Sequence, residues 1–531
     1  MQKNGDPVRR EAVAAAGGQG DLGKLKGLQN RIRKTLKLAP QEGAIEYQGR
    51  WYTWAEIDAV VQAVDAALTD AGLAPNGGAG ILLRNTPSVA GAMLSILASD
   101  RCLITLNPHH PDGNLAEDIR KLRPAAVIAD AQDWRRDAVC AAVREVGAAA
   151  LELTGDFSDP VRRLPGLETV GPGEHFVPAP DVGVYMLTSG TTGTPKRIPL
   201  TRSSILATLE GAAKQYEKNR TLGDEPVLRK AVMIHQNSLT HVAGLWGLIN
   251  GVMGGFRICM LDKFNVAEWR RAIAIHKPRV ASLPPSAIRM LLESDVSKDE
   301  LASLIALRSG TAPLDADTID TVIERWGIPV LTGYGSTEFT GVAGWQIDDF
   351  RRNWKAKRGA AGKLSPLYEA RVRDVETDEI LPPGQEGVLE LRGDHAWGGQ
   401  WVRTTDLAVL DADRYLWIKG RLDNAINRGG FKVHGEEIAQ ALNQHPDVRE
   451  AVVVGIPDKR LGEVPAAAVV LRAGGAITAP ELRTWARERL LPYQVPAAFR
   501  FVDDLPRTAS QKPMLPAIRA LFEDAAAATE G

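Results

Sequence analysis

Tyr185-Met186-Leu187-Thr188-Ser189-Gly190-Thr191-Thr192-Gly193-Thr194-Pro195-Lys196 is the most informative stretch of the chain. A strand-like apolar run passes into a loop of two glycines, four threonines, one serine and a closing lysine. Glycine lets backbone N–H groups approach an anion closely. Hydroxyls donate to phosphate oxygens, and Lys196 adds a positive charge. This is chemistry for holding the β- and γ-phosphates of a nucleotide, although the same composition also suits a solvated polar turn. The order is not that of a G-x-x-x-x-G-K-[ST] loop. The nearest approach to that order, Gly18-Gln-Gly-Asp-Leu-Gly23-Lys24-Leu25, ends in a leucine that cannot bind magnesium and follows no strand.

On both sides of this loop, short apolar strands alternate with amphipathic segments. Upstream, Trp51 to Gly72 carries Ile57, Val60, Val61, Val64 and Leu68 at helical spacing. Gly80–Leu83, Cys102–Leu106 and Ala125–Ala129 predict strands, with helices over Val89–Ala98 and Leu115–Leu122 between them. Downstream, Val232–His235 predicts a strand, and Ser203–Tyr216, Leu245–Val252, Glu268–His276, Pro285–Glu293 and Ala316–Trp326 predict helices. Such alternation predicts an α/β fold of helix-covered parallel or mixed sheets. From Ala370 to Ile418 the pattern changes to alternating strands with turns at Pro382–Gly384 and Asp411–Asp413, an antiparallel β subdomain over about 365–420. The expected organisation is a loose tail over 1–30, a large domain over 31–421 and a small, mobile α+β domain over 422–531.

A length of 531 residues accommodates this arrangement, and 44% apolar with 24% charged residues is ordinary for a globular protein. Lys+Arg of 64 against Asp+Glu of 65 leaves no global basic field for nucleic acid or an anionic membrane. Cys102, Cys140 and Cys259 are far apart and outside any C-x-x-C pair, so neither a disulfide framework nor a structural zinc site is expected. No apolar run has the length of a membrane span. Arg9-Arg10 is followed by Glu11 and too short an apolar run for an export signal, and the C-terminus shows no targeting tripeptide. The expectation is a soluble cytoplasmic protein. His109-His110-Pro111-Asp112 lacks the spacing of an acyltransferase H-H-x-x-x-D motif and predicts a turn.

Thr188–Lys196 resembles the signature loop of the adenylate-forming superfamily, which includes acyl-CoA and aryl-CoA ligases and the adenylation domains of peptide synthetases. Seven further motifs follow in that family's order. Ser309-Gly310-Thr311-Ala312-Pro313-Leu314 is similar to its adenine-side loop, Thr332-Gly-Tyr334-Gly335-Ser-Thr337-Glu338 to its Y-G-x-T-E motif, and Arg403-Thr-Thr-Asp406 to its T-G-D motif. Gly420-Arg421-Leu-Asp423 resembles its hinge, followed by Asn427-Arg-Gly-Gly430-Phe-Lys432. Leu491-Pro-Tyr493-Gln-Val-Pro496 and Leu505-Pro-Arg-Thr508-Ala-Ser-Gln-Lys512 resemble its last two motifs. The resemblance covers about residues 40–520.

The resemblance implies a two-step reaction. A carboxylate attacks the α-phosphate of ATP, releasing pyrophosphate, and a thiol then displaces AMP. By the same resemblance Lys512 stabilises the first transition state, Glu338 ligates Mg2+, and Thr188 and Thr337 hydrogen-bond phosphate oxygens together with Ser189, Gly190, Thr191, Thr192, Gly193 and Lys196. Gly310, Thr311 and Ala312 line the adenine, Tyr334 stacks on it, Asp406 holds the ribose hydroxyls and Arg421 donates to ribose or phosphate. Asp423 is the hinge, Gly430 leaves room for pantetheine, and Lys432 contacts phosphate or substrate. His241, before Val242-Ala243-Gly244, stands where amino-acid-activating enzymes place an aspartate, which disfavours an α-amino acid. Gly335 stands where acetate-type ligases carry tryptophan, so fatty, aryl and polycyclic acids fit. Free coenzyme A is the simplest acceptor; carrier-protein loading and a non-catalytic nucleotide-binding relative are the alternatives. Arg197, Thr405 and Gln511 replace family glycines beside the functional loops without removing a charged group.

Overall fold

The computed structural model describes residues 22–188, 196–216, 225–336, 339–393, 399–428, 431–458, 460–508 and 511–527. Among these, strands form four sheets. A seven-stranded sheet runs in the order Val161–Arg163, Ala149–Leu153, Ala126–Asp130, Gly78–Leu82, Cys102–Leu106, Val182–Thr188, Lys196–Thr201. Its five inner strands are parallel and its two edge strands antiparallel. Gly78–Leu82 and Cys102–Leu106 are buried at every residue, as expected of strands covered on both faces. Helix Pro87–Leu97, between them in the chain, is also buried throughout. Thr86 caps it by accepting the Val89 N–H, and Pro87 occupies the first turn, where its missing donor costs nothing.

A second, nine-stranded sheet begins with parallel strands Val280–Ser282, Ala306–Ser309 and Val330–Tyr334. It continues, antiparallel, through Ala343–Gly344, Gly362–Leu364, Tyr415–Arg421, Val402–Leu410, Glu386–Arg392 and Glu369–Arg373. The antiparallel strands expected over 365–420 are therefore an extension of a mixed sheet rather than a free-standing unit. A four-stranded sheet joins Val232–His235, Arg257–Met260, Gly43–Tyr47 and Arg50–Thr53. The chain leaves the nine-stranded sheet at Arg421, makes one 3-10 turn over Leu422–Asn424, and enters a five-stranded sheet at Ala425. That sheet, with helices Gly435–Asn443, Ala479–Arg487 and Leu515–Ala527, makes a small α+β domain with its own apolar clusters around Ile438, Val469 and Leu482 and around Ala468 and Ile518.

Two expectations are corrected. The helix expected from Trp51 starts at Trp54, because Thr53 and Glu56 form a reciprocal capping box and Arg50–Thr53 pairs as a strand with Gly43–Tyr47. The tail expected over 1–30 is too long: Leu22–Lys37 is a helix whose Leu28, Ile32 and Leu36 are buried in the main core. Burying each of these stabilises the fold by roughly 1.5–3 kcal/mol. Arg31 of the same helix donates to the Met253 carbonyl at 2.9 Å, and Gln29 to that of Ser99 at 2.7 Å.

Candidate active site

Parallel strands Ala306–Ser309 and Val330–Tyr334 deliver Gly310–Ala312 and Tyr334–Gly335 from their carboxyl ends, the edge at which open α/β sheets bind ligands. Thr311 takes a left-handed φ of 72°, strain of the kind that gathers at functional loops. The buried Ser309 hydroxyl has no partner among the described residues. A Cβ on Gly335 would lie 2.8 Å from the Phe339 carbonyl and 2.9 Å from the Gly341 nitrogen. The tight turn therefore dictates glycine there, and Gly335 is not by itself a gauge of acid size.

Antiparallel strands Val402–Leu410 and Tyr415–Arg421 add Asp406 and Arg421, which are register partners. Tyr334 donates its hydroxyl to Asp406 Oδ2, and the Thr404 hydroxyl accepts the Asp406 N–H at 3.1 Å. Arg421 Nη2 donates to the Thr405 hydroxyl at 2.6 Å, with Nε 3.9 Å from Asp406 Oδ1. Thr405 thus gives the guanidinium a fixed acceptor. Tyr334, Asp406 and Arg421 form the large-domain wall of an interdomain cleft of about 2740 Å³. That exceeds the ~300–1,000 Å³ of a single small-ligand pocket and suits more than one substrate.

The opposite wall comes from the small domain. Lys512 closes a turn in which the Thr508 N–H donates to the Lys512 carbonyl at 2.8 Å and the Lys512 N–H to Thr508 Oγ1 at 3.2 Å. Gln511 in this turn has a φ of 62°, a conformation glycine would adopt freely. Lys512 lines the same cleft as Asp406 and Tyr334. Its charge also reaches His241, the residue preceding helix Val242–Met253. Burial first, then Lys512 and His110, push the His241 imidazole down to about 4, so it is neutral at pH 7. His241 Nε2 is buried without a hydrogen-bond partner among the described residues. The His109-His110 segment forms the expected turn, His110 N–H to Asn107 carbonyl at 3.2 Å, and His110 acts electrostatically on His241.

Ser189, Gly190, Thr191, Thr192, Gly193, Thr337, Glu338 and Gly430 lie outside the described residues. Thr188 and Lys196 are register partners at the facing ends of antiparallel strands Val182–Thr188 and Lys196–Thr201. The signature segment therefore joins two strands, unlike a P-loop, which joins a strand to a helix. Asp423 lies in the 3-10 turn Leu422–Asn424, and Lys432 in strand Phe431–His434. Arg197 turns into the protein: Nη1 donates to the carbonyls of Thr105 (3.0 Å) and Tyr185 (3.1 Å), and Nη2 to Asp118 at 2.6 Å. It is a structural clamp between strand Lys196–Thr201 and its neighbours.

Sequence reading missed the charges that join the two walls. Arg507 of the small domain pairs with buried Glu450, and Arg289 Nη1 of the large domain approaches Glu450 at 3.9 Å. Arg289 also pairs with Asp315 at 3.1 Å. Burial works to raise Asp315, but Arg289 and the N–H of Thr318 outweigh it and hold the carboxyl below its usual range. Gln444 donates to Asp317 at 3.0 Å, and Arg449 lies 3.8 Å from Glu293. Their signal in sequence was only that Arg507 sits within the last motif.

The family described as AMP-binding enzyme matches residues 32–401, and the one described as AMP-binding enzyme C-terminal domain matches residues 437–512. The long-chain-fatty-acid–CoA ligase of Bacillus subtilis is 31% identical over 352 residues, 63% of this chain and 61% of that enzyme. The chain thus spans less than two thirds of that relative. The 2-succinylbenzoate–CoA ligase of Bacillus cereus is 26% identical over 94% of this chain and 100% of its own. The crystal structure of ATP-bound MatB from Rhodopseudomonas palustris superposes with a TM-score of 0.80 at 25% identity, over 94% of this chain and 99% of that one.

Proposed function

The chain belongs to the AMP-binding enzyme family, and from that premise we propose that it is an ATP-dependent acid–CoA ligase acting on a fatty or aromatic carboxylic acid. One observation carries this reading: Lys512, on the small domain, shares a cleft with the Tyr334–Asp406 pair of the large domain, and its charge reaches neutral His241.

In the first step a carboxylate oxygen attacks the α-phosphorus of ATP; the acyl-adenylate forms and pyrophosphate leaves. Asp406 accepts the ribose hydroxyls, with Tyr334 and Arg421 fixing its carboxylate. Gly310–Ala312 line the adenine, and the unpartnered Ser309 hydroxyl beneath them fits a polar ligand edge. Lys512 stabilises the charge that develops between carboxylate and phosphate. Thr188, Thr337, Lys196 and the loop between Thr188 and Lys196 hold the phosphates. Glu338 would hold Mg2+ beside the nucleotide, where the ion would supply charge neutralisation to the phosphates. His241, uncharged at neutral pH, offers no anion to an α-ammonium group, which supports an acid lacking one. In the second step the thiol of coenzyme A attacks the acyl carbonyl and AMP leaves. Rotation about Asp423 brings Gly430 and Lys432 to the thiol path. A cytoplasmic location is part of the proposal and rests on three free thiols. Among the described residues no helix is long and apolar enough to cross a membrane.

The test is pyrophosphate release with ATP, Mg2+ and a panel of carboxylic acids, with and without coenzyme A. Acid-dependent release, with a CoA thioester formed when CoA is added, is the expected result and names the acid class. Release without thioester would move the acceptor to a carrier protein. ATP binding with no release across fatty, aryl and dicarboxylic acids would overturn the ligase reading in favour of a nucleotide-binding relative.

A further inference from the structure

Three donor side chains that sequence spacing gives no reason to associate meet away from the cleft. Glu46, in strand Gly43–Tyr47, and Cys259, in strand Arg257–Met260, are register partners in a parallel pair, so both side chains project from one face. His276 is the last residue of helix Val266–His276, which packs against that face. Cys259 Sγ lies 2.7 Å from Glu46 Oε2, and His276 Nε2 lies 3.2 Å from the same oxygen. One donor atom from each residue lies within 4.8 Å of the other two. Glu46 and Cys259 are 3% and 0% exposed. None of the three lines the cleft.

We propose that Glu46, Cys259 and His276 form a binding site for a divalent cation of borderline softness, zinc being the best fit. A thiolate, an imidazole and a carboxylate are a zinc donor set, with the fourth tetrahedral position left to water. Metal–ligand bonds of roughly 2.0–2.3 Å place the donors of one tetrahedral ion about 3.2–3.7 Å apart. The His276–Glu46 separation already suits this, and the Cys259–Glu46 pair opens by about 1 Å or less. Within the donor set the charges balance: Cys259 gives up its proton as the ion binds, His276 keeps one on Nδ1 and presents Nε2, and thiolate plus carboxylate neutralise the dication, while the guanidinium of Arg271, which meets the outer carboxylate oxygen, is 44% exposed and stays solvated. Balance matters because an uncompensated buried charge is costly.

The other carboxylate oxygen is already held. Glu46 Oε1 accepts the Gly49 N–H at 2.7 Å and lies 3.6 Å from Arg271 Nη2. These contacts aim Oε2 at Cys259 and His276, as outer partners orient the ligands of a metal site. An ion here would clamp two strands and a helix whose ligands are 213 and 230 residues apart in sequence from Glu46.

Cobalt(II) titration of the reduced full-length protein tests this independently of ligase activity. One equivalent should be retained through gel filtration, with a thiolate-to-cobalt charge-transfer band in the near ultraviolet. Cys259→Ser should abolish the band, whereas Cys140→Ser should leave it. His276→Gln, which keeps the strand pair intact, should weaken retention at least tenfold, and zinc should raise the melting temperature of the wild type but not of this variant. Cobalt retained without the band, a band that survives Cys259→Ser, or no retention at all would each overturn the proposal and leave a hydrogen-bonded trio.

Discussion

On the large-domain wall of the cleft, Tyr334, Asp406 and Arg421 ride on strands of a nine-stranded sheet, and a carboxylate, a phenol and a guanidinium fix one another. On the small-domain wall, Lys512 rides on a short turn, and the domain behind it reaches the large one through Arg289–Glu450, Arg449–Glu293 and Gln444–Asp317. Each domain closes its own apolar core, and these three contacts between them are made by charges and amides. The proposed function uses the first wall as a fixed binding surface and the second as a part that moves. In that proposal the nucleotide-binding groups and the moving lysine come from different domains.

If the division is real, Lys512→Ala should lower acid-dependent pyrophosphate release by about 10²–10³-fold. ATP affinity and melting temperature should hardly move. A comparable loss of ATP affinity would place Lys512 among the nucleotide-binding groups and erase the distinction.

The large domain should in turn show its dependence on burial as acid lability. His235, in strand Val232–His235, is 4% exposed, and burial pushes its imidazole down to about 4 against an ordinary value near 6.5. Between those values the unfolded chain binds the proton that the folded one refuses, so stability rises with pH. The contribution is complete above about 6.5 and is lost as pH falls towards 4, on the order of 3 kcal/mol in all. A melting temperature measured across that window should drop on acidification, and His235→Gln should flatten the slope. An equal slope in both proteins would remove His235 as the cause.

Legibility in the sequence follows the same divide between local and distant causes. Ile57, Val60, Val61, Val64 and Leu68 mark a helix face by spacing alone, and all five are buried. Pro285–Glu293 and Ala316–Trp326 have the bounds expected from the alternating pattern of strands and helices. The helix Leu22–Lys37 was hidden because glycines and charges surround Leu28, Ile32 and Leu36; only the four-residue spacing betrays it. Asp406 and Tyr334 could be read because each sits inside a short motif, but their hydrogen bond spans 72 positions. Arg197 reads as an intrusion beside a phosphate loop, but its guanidinium pairs with Asp118, 79 residues away. Glu450 belongs to no motif, and its role comes from Arg289 and Arg507, which only tertiary packing brings together.

Asp406→Asn sharpens the comparison from the fixed wall. It keeps the shape but halves the acceptor capacity that Tyr334, Arg421 and the ribose hydroxyls would share. ATP affinity should fall about tenfold, equivalent to about 1.4 kcal/mol, with a smaller drop in melting temperature. Binding titration with ATP alone reads this, because Lys512 and the acid play no part in it. Unchanged ATP affinity would move the ribose contact elsewhere on the wall.

The smallest effect probes the joint between the walls. Arg449 lies 3.8 Å from Glu293 of helix Pro285–Glu293 and 3.1 Å from Asp504 in its own domain, and it and Glu293 are 29% and 28% exposed. An ion pair this wet contributes no more than about 1 kcal/mol, and salt screens it. Arg449→Gln should therefore shift the closed arrangement by a few-fold at most, read as a slightly slower pyrophosphate release at low ionic strength. Because salt already weakens the pair in the wild type, the two proteins should converge as salt is added. A loss as large as that of Lys512→Ala, persisting in salt, would mean that the small domain is held by a contact it cannot release. The contrast between a fixed wall and a movable one would then fail at the residue where it is easiest to break.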